Sequence, residues 1–252
     1  MKRKRRKQLK RRKVILVVIV VALIGMIWSI YELFSPFVSA ELTASPNTNT
    51  EVSEELISSP NKNTAMHQEI SQRYKIVIDA GHGGKDPGAS GVSGNYERAY
   101  TLALSNKVFD LLQQEPMFEA YMTRTDDTFV DLDDRINFAS DLDADAFVSI
   151  HGNTYTDPDV HGTETYYYAE DSSPFANEVH EHLVEAAGFK DRGVRKEGWK
   201  VLKESDNLAI LLEVGFLTNQ SDETNMINDS HQDRTAQGIV KGIKKYFADT
   251  EN

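Results

Sequence analysis

The chain has 252 residues, with 28 Lys and Arg against 39 Asp and Glu, and no cysteine. That length accommodates one sizeable α/β domain plus extra segments, and the lack of cysteine excludes disulfides, thiolate metal sites and cysteine-nucleophile chemistry. Ten of the bases fall in residues 1–13, so the rest carries 18 bases against 39 acids, a balance that excludes nucleic acid as a partner.

Residues 1–13 read as a basic segment held on the cytoplasmic side of a membrane. Residues 14–28 are uninterrupted apolar or Gly, and Ile30 and Tyr31 extend the run. As a helix it spans roughly 26 Å, close to the hydrocarbon thickness, so 14–31 reads as a transmembrane anchor. A cleaved signal sequence stays open, because Val38-Ser39-Ala40 resembles a small-residue cleavage site. Either reading puts the remainder outside the cell membrane: single-pass and tethered, or secreted. Residues 41–72 are rich in Ser, Thr, Asn and Glu, contain Pro46 and Pro60, and lack periodicity, as expected of a disordered linker.

Residues 73–250 form the expected catalytic domain. Apolar runs at 75–79, 119–123, 146–150 and 208–214 read as strands, and 163–168 as another. A helix beginning near Glu97 carries Leu104, Val108, Leu111 and Leu112 on one face. Leu132, Ile136 and Ala139 mark a second helix, and Ala176, Val179, Leu183 and Ala187 a third. Ala236, Ile239, Val240, Ile243, Tyr246 and Phe247 give the stripe of the last helix. Strands alternating with helices predict an α/β fold, a mostly parallel twisted sheet with helices on both faces.

Three strands end on chemistry. The first runs into Gly81-His82-Gly83-Gly84, the second into His151-Gly152-Asn153, and the last contains Glu213 inside Ala209-Ile210-Leu211-Leu212-Glu213-Val214. Strand ends of this kind converge on one crevice, and imidazoles with a carboxylate suit a zinc ion with an open position. The glycine run fits neither GxGxxG nor the Walker spacing, which argues against a phosphate loop. Glu97 has two readings. It is a helix-start acid stabilised by the dipole, or the Gly91, Gly94 and Asn95 loop returns it to the His82 crevice. A buried Glu213 needs a metal, a partner charge such as Arg124 or Arg135, or a reacting water. His67, His161, His180, His182 and His231 carry no site pattern. Asp126, Asp127, Asp131, Asp133 and Asp134 read as a solvated loop and a helix cap.

Taken in order, these motifs resemble the zinc-dependent N-acetylmuramoyl-L-alanine amidases (amidase type 3), over about residues 74–248. The resemblance lies in the 77–88 run, in Glu97 with Leu102, in Thr123-Arg124 with Leu132, Arg135 and Ala139, in 149–153, and in 212–219. Ser140, Leu208 and Thr101 depart from the family's usual Asn, Pro and Asn. The resemblance implies Zn²⁺ held by His82, Glu97 and His151, with Glu213 as the catalytic base. It implies hydrolysis of the bond between N-acetylmuramic acid and L-alanine of the peptidoglycan stem peptide. The partners expected are peptidoglycan, the membrane through the N-terminal helix, and an activator protein. The rival expectations are a zinc peptidase cutting within the stem peptide and a catalytically silent wall-binding or regulatory module.

Overall fold

The computed structural model describes residues 73–250. The basic segment 1–13, the anchor or signal sequence 14–31, the cleavage-like tripeptide and the linker 41–72 lie outside the described residues. Among the described residues no helix is long and apolar enough to cross a membrane.

Among the described residues six strands form one sheet: β1 (Tyr74–Ala80), β2 (Phe118–Met122), β3 (Ala146–Asn153), β4 (Thr163–Tyr167), β5 (Asp191–Lys196) and β6 (Leu208–Phe216). Their order across the sheet is β2-β1-β3-β6-β4-β5. The helices are α1 (Glu97–Leu112), α2 (Leu132–Asp141), α3 (Ser172–Ala187), α4 (Lys200–Lys203), α5 (Gln220–Met226) and α6 (Asp229–Thr250).

Four of the five pairings are parallel, as expected of a mostly parallel sheet, and one is antiparallel, which makes the sheet mixed. β2, β1, β3 and β6 pair in parallel, whereas β4 runs antiparallel to β6 and parallel to β5. The reason lies in the connection after β3. A parallel return needs a crossover of a dozen or more residues, usually a helix, and only residues 154–162 separate β3 from β4. The chain therefore re-enters the sheet from the end at which it left. Helix α3 then supplies a crossover, and β5 lies parallel to β4.

Strand side chains alternate between two apolar layers. Ile76, Ile78, Val148, Ile150, Ile210 and Leu212 face α1, α3 and α6, where they meet Leu104, Val108, Phe175, Val179, Leu183, Ile239 and Ile243. Val77, Phe147, Ala209 and Leu211 face the opposite way and pack with Ala139 of α2 and with Val201 and Leu202 of α4. Helices thus cover both faces as expected, but among the described residues the second face has only α2 and a single turn, α4. The expected stripes hold for α1, α3 and α6. On α2, Leu132 departs from its stripe and is 48% exposed. The thin cover on this face leaves room for a crevice at the carboxyl ends of β1, β3 and β6.

Candidate metal centre

β1 ends at Ala80, and His82 follows in a left-handed conformation with φ 61°. For a non-glycine residue that costs on the order of 1–3 kcal/mol and persists only where the surroundings impose it. Here they do. Arg135 Nη2 donates to His82 O at 2.6 Å, and Gly83 and Asp86 exchange two backbone hydrogen bonds beyond it. Arg135 also donates to Asp79 Oδ1 at 2.5 Å and to Ala80 O at 2.7 Å. Arg124 adds bonds to the Ala80, Gly81 and Arg98 carbonyls at 2.9 Å each. Asp79 is buried, which by itself raises a carboxyl pKa, yet Arg135 and the hydroxyls of Thr123 and Ser149 hold it below its ordinary value.

The imidazole of His82 meets Glu97 and His151. His82 Nε2 lies 3.0 Å, and His151 Nδ1 2.9 Å, from Glu97 Oε1. The two rings stand edge to face with centroids 4.9 Å apart. One donor atom from each of the three residues lies within 4.8 Å of the other two. Glu97 is almost fully buried at the first turn of α1, and its carboxylate also accepts from Gly152 N at 3.1 Å and Ala89 N at 2.8 Å. Burial pushes its pKa up, but the hydrogen bonds and charges of His151 and His82 outweigh it and hold the carboxyl well below its ordinary value. Burial lowers the pKa of His82, and Glu97 with Asp86 more than reverse that. His82 Nδ1 donates to Asp86 Oδ2 at 2.9 Å, which orients the ring and leaves Nε2 facing the cluster. Gly81 makes the site close enough. A Cβ there would fall 2.5 Å from His151 Nε2 and 2.8 Å from its Nδ1.

Glu213 stands one strand over. It is the register partner of His151 on parallel strands, so the two side chains leave the sheet on the same face. It is 9% exposed and its Oε2 has no hydrogen-bond partner among the described residues. Burial raises its pKa well above the ordinary value, and the charges of Glu97 and Glu164 add to the rise. The arginines that sequence offered as partners are engaged elsewhere, Arg135 with Asp79 and Arg124 with backbone oxygens.

A cavity of about 490 Å³ opens beside the cluster, lined by His82 and His151 together with Phe129, Leu132, Trp199 and Val201. Leu132 and Trp199 are exposed large apolar side chains, and here they form a wall of the crevice. No residue of the 154–162 loop lines it, whereas Trp199, Lys200 and Val201 do.

Residues 76–245 match the family model described as N-acetylmuramoyl-L-alanine amidase. The chain belongs to the N-acetylmuramoyl-L-alanine amidase family. It is 36% identical over 176 residues to the probable cell wall amidase LytH of Staphylococcus epidermidis, an alignment covering 69% of this chain and 58% of LytH. The chain thus spans under two thirds of that relative's length. The catalytic domain of the amidase CwlV from Bacillus (Paenibacillus) polymyxa superposes with a TM-score of 0.69 at 44% identity, over 69% of this chain and 98% of CwlV. The CwlD amidase of Clostridioides difficile, solved in complex with the GerS lipoprotein, gives 0.67 at 28% identity, over 70% and 99%.

The amidase fold brings together all four residues singled out in the sequence. His82, Glu97 and His151 form the donor cluster and Glu213 flanks it. The other histidines among the described residues stay outside it. His180 bridges Thr165 and Asp191, His231 contacts the Ala187 carbonyl, and His161 is exposed away from the crevice. Asp131 caps α2, as its place in the acidic run suggests. Of the departures from the family pattern, Thr101 has a visible role, since its hydroxyl donates to Gly81 O at 2.7 Å. Sequence reasoning missed Glu164. This buried residue is the register partner of Glu213 on the other side, and its carboxylate accepts from Asn153, Tyr166 and Arg192 at 2.7–2.8 Å. Only the alternation of Thr163-Glu164-Thr165-Tyr166, which puts a lone acid on the Tyr166 face, hinted at it.

Proposed function

We propose that this chain is a zinc-dependent amidase that cleaves the bond between N-acetylmuramic acid and L-alanine of the peptidoglycan stem peptide. The observation that carries the reading is the meeting of His82 Nε2, Glu97 Oε1 and His151 Nδ1, with Glu213 beside them on the same face. Two imidazole nitrogens and one carboxylate oxygen are a zinc donor set of the kind that keeps a position for substrate. Family membership and the amidase likeness of CwlV support the bond class.

His82, Glu97 and His151 would hold the ion. Bound zinc supplies Lewis acidity, polarising the amide carbonyl and lowering the pKa of water toward about 7. Asp86 keeps the Nδ1 proton on His82, so that Nε2 serves as the ligand atom. Glu213 takes the proton of the attacking water on its carboxylate and returns it to the departing alanine nitrogen. An unpartnered oxygen and a raised pKa suit that task. The Trp199, Leu132 and Phe129 wall holds the substrate backbone against the cluster and excludes water.

The apolar run at 14–31, outside the described residues, supports a domain working on the outer face of the cell membrane, tethered or secreted. The CwlD structure with its lipoprotein supports a partner protein for this chain as well. The test is digestion of purified sacculi by the purified chain, read by mass spectrometry. Free stem peptides, lost on chelation and restored by Zn²⁺, are expected. Shortened stems still attached to sugar would establish a peptidase instead, and undigested wall a silent binding module.

A further inference from the structure

The loop between β1 and α1 ends on Glu97, and Glu97 closes it. Its Oε2 accepts from Ala89 N at 2.8 Å, and its own N–H donates to Ala89 O at 2.9 Å. Between these points Ser90 and Tyr96 form an isolated bridge, and Gly91 N–H donates to Asn95 O at 2.8 Å. A shift of residues 90–96 therefore moves the carboxylate that meets both histidines.

Glu223 of α5 grips this loop. Its side chain is fully buried, accepts from Ser93 N at 2.9 and 3.1 Å, and accepts from Ser93 Oγ at 2.6 Å. Among the described residues no cationic side chain forms an ion pair with it. Holding a loop requires only an acceptor, so a carboxylate buried without a cation is a costly choice for mere packing. Gly91 permits the approach, since a Cβ there would lie 2.9 Å from Glu223 Cδ. Helix α5 is itself fixed. Asn219 caps it, and Asp222 Oδ2 accepts from Phe216 N at 3.0 Å and Gly162 N at 2.8 Å. Phe216 ends the strand that carries Glu213. One short helix thus ties the loop of Glu97 to the strand of Glu213.

We infer that Glu223 is a positioning residue for metal binding, which through Ser93 fixes the 90–96 loop so that Glu97 presents Oε1 between His82 and His151. The inference rests on the zinc reading above. Its test uses the full chain, as wild type, Glu223→Gln and Ser93→Ala. Lys107→Ala, which removes a cation bound to Asp229 and Asp233 of α6, is the comparison. Zinc affinity is measured by competition with a chromophoric chelator, and backbone amide exchange is measured on metal-free protein. Glu223→Gln is expected to bind zinc ten- to a hundred-fold more weakly, on the order found for groups that orient metal ligands. Ser93→Ala loses a smaller factor, amides of 91–97 exchange faster while the central strands do not, and Lys107→Ala stays within twofold. Wild-type zinc affinity in both Glu223→Gln and Ser93→Ala overturns the inference, and Ser93→Ala decides alone if Glu223→Gln does not fold. A wild-type chain that takes up no zinc defeats the metal reading instead. In that case unchanged exchange at 91–97 overturns the loop-fixing role too, and faster exchange upholds it.

Discussion

Replacing Glu213 by Gln separates what this carboxylate does in the chemistry from what it costs the fold. Gln keeps the volume and removes the charge. Glu213 is 9% exposed, has an unpartnered Oε2, and its pKa lies well above the reference 4.5 through burial first and the charges of Glu97 and Glu164 next. For an acid whose folded pKa is raised, the folded state holds its proton after the unfolded chain has released one. The associated stability is complete below about pH 4.5 and is lost as pH rises toward the folded value. Each pH unit inside that window costs about 1.4 kcal/mol. Metal-free wild type should therefore lose stability against Glu213→Gln at about that slope from pH 5 upward, and the gap should level off once the folded pKa is passed. Urea unfolding of both proteins at half-unit pH steps with a chelator present measures it. The same variant should take up zinc normally while turnover on sacculi falls about 10²- to 10⁴-fold, the usual share of a general base. Parallel stability profiles between pH 5 and 8 would refute the electrostatic reasoning, and wild-type turnover would refute the catalytic role.

Arg135→Met should cost about 3–5 kcal/mol in urea unfolding, because it strands the buried Asp79 carboxylate and frees the His82 carbonyl; a loss below about 1 kcal/mol would show that the pair holds nothing. Asp79 has a depressed pKa, so its contribution is present above the reference 3.8 and fades as pH falls through the folded value; Asp79→Asn should flatten that acid limb in a pH series of unfolding midpoints. Gly81→Ala should sharply weaken zinc uptake with the far-ultraviolet circular dichroism spectrum unchanged, since the new Cβ occupies the place of the His151 ring. Phe175→Ala, at a fully buried position in the layer of α3 and α6, should cost about 3–5 kcal/mol without altering zinc affinity per folded molecule.

The parts of this fold that were legible in the sequence are those where burial writes a pattern. β1, β3 and β6 are apolar on both faces because helices cover both, and each announces its end with a Gly-flanked histidine or a misplaced acid. β5 stayed hidden because Asp191-Arg192-Gly193-Val194-Arg195-Lys196 is an edge strand, joined through its backbone to β4 and mostly open to solvent. α4 and α5 are one and two turns long, too short for a stripe, and α5 buries Asp222 and Glu223 beside a single apolar side chain, Met226. The direction of β4 was equally hidden, since side-chain alternation is the same whichever way a strand runs.

That direction matters for the chemistry. Because β4 runs against β6, its beginning and not its end lies at the crevice, and this brings Glu164 level with Glu213. Two carboxylates on neighbouring strands repel unless one is neutralised, and the nearby cations all go to other groups. Arg192 and Arg195 lie 2.8 and 3.1 Å from Glu164, Arg135 pairs with Asp79, and Arg124 is held by carbonyls. Among the described residues Glu213 is left without a cation, facing two fixed negative charges, Glu97 and Glu164. A carboxylate clamped by an arginine would be a poor proton acceptor, because the cation stabilises its charged form and depresses its pKa. Four arginines and four acids allow many pairings on paper. The sheet's one antiparallel pairing selects the arrangement in which the base beside the metal ligands keeps its affinity for a proton.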